Sequence, residues 1–183
     1  MKIAVLAWGS LIWNPQTLKI NKDWNEDGPM LPIEFARISN NGRLTLVIKP
    51  NSKAVQVLWT LMDLDNLEEA RINLQKREET PSVERIGFVS LINSTKSSKY
   101  EGISEVITKW AMEKKLDAVI WTDLGVKFKD KLNKEFNPNN VLNYLKNLPS
   151  DKKVKAKEYI IKAPKQIRTE IREVIEKELV WKK

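Results

Sequence analysis

The chain has 183 residues, 42% apolar and 31% charged, with 32 basic against 24 acidic side chains and a formal charge of +8. It contains neither cysteine nor histidine, which excludes disulfides, thiol nucleophiles, thiolate and imidazole metal sites, and Ser-His or Cys-His catalysis. Acid–base chemistry then falls to Asp, Glu, Lys or Tyr, and no apolar run reaches the roughly 18–20 residues that cross a bilayer.

No dense D-x-D-type cluster points to an all-oxygen metal site, so neither a metal nor a cofactor is expected. The opening "MKIAVLAWGSLIW" has an apolar run of strand length without a small-residue cleavage pattern, so a cytoplasmic location is expected. One domain is the default at this length. The reading is a single domain over 1–183, with a β-rich core over about 1–124 and a helical tail over about 125–183.

In chain order, residues 3–7 read as a buried strand. Residues 32–39, "PIEFARIS", and 43–49, "RLTLVIK", flank the turn signal Asn40-Asn41-Gly42 and read as a hairpin. "AVQVLWTLM", 54–62, reads as one further strand. Over the following segment the period changes. Asp65 and Glu68 resemble a capping box, and Leu67, Ala70, Ile72 and Leu74 form an apolar face through about residue 77, before Pro81.

Residues 84–92 return to strand and "STKSSKYEG" reads as a polar loop. A second helix is predicted over about 103–115, and "DAVIWT", 117–122, is a short buried strand. Beyond residue 124 the character is helix and loop. A short helix is opened by Asn137-Pro138, and a last one follows Pro164 with Ile167, Ile171, Val174, Ile175 and Leu179 at helical spacing. The fold class is α+β, with five to seven strands curled toward a small mixed barrel, flanking helices and a helical C-terminal tail.

"AVLAWGSLIWNP", 4–15, carries the most chemistry. A strand ending at Gly9-Ser10 can leave successive backbone N–H groups pointing one way, a cradle for a carboxylate or oxyanion. Taken alone, the Gly-Ser pair also reads as a plain turn between two core tryptophans, Trp8 and Trp13. Arg37 and Arg43 lie on the hairpin; Arg37 is the candidate to clamp a carboxylate, and Arg43 reads as an outward charge. Trp59 and Trp121 read as core. The basic excess gathers late, in "DKKVKAKEYIIKAPK" and "WKK". It reads as a lysine-rich solvated surface, since no aromatic-interleaved basic motif accompanies it, and nucleic acid is not the expected partner; binding of nucleic acid through this basic tail is a third reading.

The strand followed by "WGSLIWNP" resembles the Tyr-Gly-Ser-Leu signature of the gamma-glutamylcyclotransferase-like superfamily, which includes ChaC-type proteins. "LPIEFARISNNGRLTLVIKP" is similar to the arginine-bearing strand and hairpin that follow it, and "VQVLWTLMDLDNLEEARINLQKREE" to its strand, helix and acidic residue. The resemblance covers roughly residues 3–92. It implies a small barrel with a pocket at the first strand's end, where Trp8, Gly9, Ser10, Leu11 and Arg37 bind a gamma-glutamyl small molecule. It implies Glu78 as the catalytic acid/base, with Glu79 the alternative register.

The implied activity releases 5-oxoproline by attack of the substrate's own α-amine on its side-chain amide. No protein nucleophile is needed, which suits a chain without Cys or His; bending the substrate and shuttling one proton suffice. Trp8 stands where the family has tyrosine, and the Gly-Tyr that follows Arg-Glu in ChaC-type members is absent. The same fold serving as a non-catalytic binding module for small carboxylates is the alternative.

Overall fold

The computed structural model describes residues 1–21 and 23–182. It is a mixed α+β protein whose chain divides into two compact units, the first over Met1–Leu31 and Gln56–Leu124, the second over Pro32–Val55 and Gly125–Lys183. The hairpin at 32–55 thus belongs with the C-terminal segment, and the tail read from the sequence is a unit with strands of its own. No helix among the described residues is long and apolar enough to cross a membrane.

In the first unit, β1 (Ile3–Ala7) lies between β5 (Leu58–Leu61), antiparallel to it, and β8 (Ala118–Thr122), parallel to it. The sheet continues through β6 (Ile86–Ser90) to β7 (Thr95–Ser97), in the order β5-β1-β8-β6-β7. Every residue of β1 is at most 2% exposed, so its continuous apolar run reflects two covered faces. On one face Ile3, Val5 and Ala7 pack with Ala118, Ile120 and Ile86 against Ala70 and Leu74 of α1 (Leu67–Arg77). A second helix, α2 (Ile103–Glu113), packs against β6 and β8.

In the second unit β2 (Met30–Ile38) pairs with β3 (Leu44–Ile48), and β4 (Ala54–Gln56) completes a three-stranded sheet. Gly42 takes the left-handed conformation, φ +76°, that the hairpin turn needs. Four helices follow: α3 (Lys129–Leu132), α4 (Pro138–Lys146), α5 (Ser150–Lys162) and α6 (Glu170–Glu178). Asn137 caps α4 through its side chain with Pro138 in the first turn, as its sequence predicts.

Three readings need correction. The segment 54–62 is two strands broken at Val57, and they join different sheets. "STKSSKYEG" contains β7. The cap of α1 is Asn66, which accepts from the amides of Glu68 and Glu69 at 2.9 and 3.1 Å, and not Asp65. Strand pairing among the described residues gives two sheets and closes no barrel.

Two buried contacts show how tightly these units constrain their residues. Gly87 pairs with Trp121 across β6 and β8, and a Cβ on Gly87 would lie 2.2 Å from Trp121 Cε2. In the second unit Glu34 is 3% exposed. Its carboxylate accepts from the Phe35 amide at 2.7 Å and the Ile171 amide at 3.3 Å, with Thr169, the N-cap of α6, as a further partner. Burial outweighs these bonds and pushes Glu34 above the ordinary 4.5.

Gly87→Ala is expected to lower stability in urea unfolding by about 3 kcal/mol, because Trp121 has no space to yield. For Glu34, a raised folded-state pKa means that the folded chain binds the proton more tightly than the unfolded chain. Its contribution is therefore full below about pH 4.5 and is lost as pH rises through the folded value. Urea midpoints of the native protein minus those of Glu34→Gln should decline as pH rises above about 4.5; a flat difference would refute this assignment.

Candidate active site at the end of the first strand

The parallel pairing of β1 with β8, Val5 opposite Ile120, brings the carboxyl ends of two strands to one edge, where open sheets with parallel strands place their ligands. There the chain leaves β1 and turns. The Ile12 amide donates to Gly9 O at 3.1 Å and the Asn14 amide to Ser10 O at 2.9 Å. This is a single helical-type turn whose carbonyls are used and whose leading amides fall outside its own bonds. Trp8, Gly9 and Leu11 are buried and Ser10 is half-buried.

Opposite this turn, α1 ends in a Schellman arrangement. The Glu79 amide donates to Lys76 O at 3.2 Å and the Thr80 amide to Gln75 O at 3.3 Å. Glu79 holds the left-handed position that ordinarily favours glycine, φ 49°, at a steric cost of roughly 1 kcal/mol. The motif separates the two candidate carboxylates. Glu78 stays helical at the cap with its side chain 17% exposed, whereas Glu79 is exposed.

Arg77 joins the two halves. Its side chain is 8% exposed. Nη1 donates to Glu78 Oε1 at 3.1 Å, and Nη2 donates to Ser10 Oγ at 3.2 Å and to Asn14 O at 2.7 Å. One guanidinium therefore holds the turn after β1 and the Glu78 carboxylate together. Arginine suits this because its planar fork serves several acceptors at once. The sequence alone does not single out Arg77.

Of the residues named from the sequence, Ser10 and Glu78 are brought to one guanidinium, with Trp8, Gly9 and Leu11 in the same segment. Arg37 lies in the second unit, where Nη1 donates to Gly125 O at 2.8 Å. Arg43, also there, lies over the Tyr159 ring at 5.7 Å. Trp121 is fully buried; Trp59 is half-buried and donates to Asp27 Oδ1 at 2.8 Å.

Several polar groups of the first unit escaped the sequence reading. Thr80 Oγ1, Thr122 Oγ1 and Arg77 Nε are buried without a hydrogen-bond partner. Asp123, just past β8, is 4% exposed and accepts from the Lys99 amide. Burial pushes its carboxyl above the ordinary 3.8, against that bond and the nearby Trp121 indole. Its Oδ1 and Trp121 Nε1 both lack a properly formed hydrogen bond, so the indole acts on it as a nearby dipole. Thr122 and Asp123 become visible as site candidates only once β8 is known to run parallel to β1.

A pocket of about 260 Å³ is lined by Lys19, Leu64, Glu69, Ile72, Asn73 and Lys76; it includes neither Ser10, Arg77 nor Glu78. Among the described residues no group of three or more Asp or Glu side chains is placed to hold a metal ion.

Arg77→Met should destabilise the protein by about 3 kcal/mol in urea unfolding, since charge-assisted bonds to three groups are lost and the chain beside Asn14 is released. Ser10→Ala should cost less than about 1 kcal/mol, because the bond to Asn14 O persists. Arg77→Lys should recover less than half of the loss.

In comparisons with known proteins, no family model, no curated protein and no solved structure matches this chain.

Proposed function

We propose that the protein is a gamma-glutamylcyclotransferase-like enzyme that acts on a gamma-glutamyl or related small amide and releases 5-oxoproline. The observation that carries this reading is the shared guanidinium: Arg77 bonds both Ser10 and Glu78, so the glycine-serine turn and a carboxylate lie within reach of one small molecule. The cytoplasmic location expected from the opening segment and the small mixed barrel that the resemblance implies belong to the same proposal. The mixed parallel and antiparallel five-stranded sheet supports the latter.

In this reading the amides at residues 9–11 hold the glutamyl group with its chain bent, which converts the attack into a favoured intramolecular one. Glu78 takes a proton from the substrate's α-ammonium. The freed amine attacks the side-chain carbonyl carbon, a C–N bond forms and the original amide C–N bond breaks. Glu78 returns that proton to the departing nitrogen, and the second proton released by the attacking nitrogen follows it, so the lactam nitrogen keeps one hydrogen and the amine leaves as its ammonium. Reactant and products balance without water or an external acceptor.

A second reading, a binding module for small carboxylates on the same fold, is favoured by one specific contact. Glu78 Oε1 already accepts from Arg77, so an incoming ammonium competes for an occupied oxygen.

Incubation with a panel of gamma-glutamyl dipeptides, with 5-oxoproline measured by mass spectrometry, separates the two. The enzyme reading expects product, reduced at least about 100-fold by Glu78→Gln and changed less than about 2-fold by the exposed Glu79→Gln. Thermal stabilisation by the dipeptides without product, equal in native protein and Glu78→Gln, would replace it with the binding module.

A further inference from the structure

The basic excess that gathers late in the sequence belongs to one unit. Sorted by unit, the first carries 12 basic and 15 acidic residues and the second 20 basic and nine acidic. The second unit alone therefore has a formal charge of +11 and the first −3. Residues 125–183 supply +8 of the second unit's charge and residues 32–55 the other +3.

Within the second unit the charge is organised on α5. Its apolar contacts, Ala156, Tyr159 and Ile160, are buried. Lys152, Lys155 and Lys162 recur with Tyr159 at i, i+3, i+7 and i+10, which places them along one flank over about 15 Å. That flank meets the hairpin turn. A Cβ on Gly42 would lie 3.2 Å from Lys152 Cδ, and Arg43 covers the Tyr159 ring, its own Nε buried without a partner.

Asp151 lies in the first turn of α5, and Glu158 is the second acidic residue of this flank. Lys162 holds it at 2.6 Å, and with Arg43 at longer range keeps it below the usual carboxylate range. Among the described residues Lys152 and Lys155 make no ion pair, and both are exposed.

We infer that this flank, Arg43 with Lys152, Lys155 and Lys162, is a binding surface for the phosphate backbone of double-stranded nucleic acid, independent of base sequence. Exposed lysines at helical spacing, Lys152 and Lys155 of them outside any ion pair, meet successive phosphates. A single strand would call for an exposed stacking platform, and Tyr159 is 7% exposed and covered by Arg43. An anionic membrane would call for an apolar face between the lysines, and the apolar face of α5 is buried within its unit.

Fluorescence anisotropy with labelled 20-base-pair DNA and RNA duplexes, in 50 and 200 mM salt, tests the surface with the whole chain. Four phosphate contacts predict binding at 50 mM that weakens roughly 100-fold at 200 mM. Replacing Lys152, Lys155 and Lys162 together by Gln should lower affinity at 50 mM at least about 10-fold and flatten the log–log salt slope by about 2–3. Replacing Lys96, Lys109 and Lys115 of the first unit by Gln, an equal change in net charge, should alter affinity less than about 3-fold. Preference between the two duplexes identifies which one the surface takes. Absence of binding to both at 50 mM, equal weakening in the two triple variants, or tighter binding to phosphatidylserine vesicles than to either duplex would overturn the inference. Unchanged thermal unfolding of the variants, whose altered side chains are exposed, ties any loss to the surface itself.

Discussion

The burial of β1 on both faces is the constraint from which the first unit follows. A strand with no exposed face must be covered by α1 through Ile3, Val5 and Ala7 and must find a neighbour on each edge. One of those neighbours, β8, is parallel and more than a hundred residues away in sequence. The start of the pair is held by backbone as well as side chains: the Lys2 amide donates to Asp117 Oδ2 at 2.6 Å and the Asp117 amide to Lys2 O at 3.0 Å. Once that pairing is set, the turn after β1 can only emerge beside Thr122 and Asp123. The location of the candidate site is thus a by-product of core formation, and its chemistry is added by α1 delivering Arg77 to the same edge.

Much of this was legible in the residues. Local signals read well wherever a single physical rule dominates. The apolar run of β1, the Asn-Asn-Gly turn, the period of α1 and the Asn-Pro start of α4 all depend on near neighbours. What failed depends on distant ones. Val57 looks like the middle of an unbroken strand because its neighbours are apolar on both sides, yet the chain changes sheets there. The edge strand β7 is exposed throughout, Thr-Lys-Ser, and carries none of the alternation by which a strand announces itself. α5 hid because five lysines within thirteen residues read as a charge run, although Ala156, Tyr159 and Ile160 supply an apolar stripe of ordinary helical spacing.

The candidate site was legible as two halves but not as a connection. "WGSL" and "REE" could each be singled out, and Glu78 could not be told from Glu79, since adjacent residues in a helix cap look alike in sequence. The Schellman ending of α1 separates them by turning Glu79 outward. Arg77 was the residue most undervalued. Its importance lies in reaching across more than sixty positions to Ser10 and Asn14, a property that no local pattern expresses.

The division of the chain also dictates the order in which the molecule can be made. Because each unit is drawn from two stretches, neither corresponds to a contiguous fragment. During synthesis β1 and β5 can pair early, but the parallel edge of β1 stays open until residues 118–122 have emerged. The hairpin of β2 and β3 waits longer still for α5. A ribosome-bound chain therefore carries an uncovered apolar strand edge until β8 has emerged, a hazard of long-range parallel pairing. A single backbone cut at any one of the three crossings would release neither unit as a separate piece.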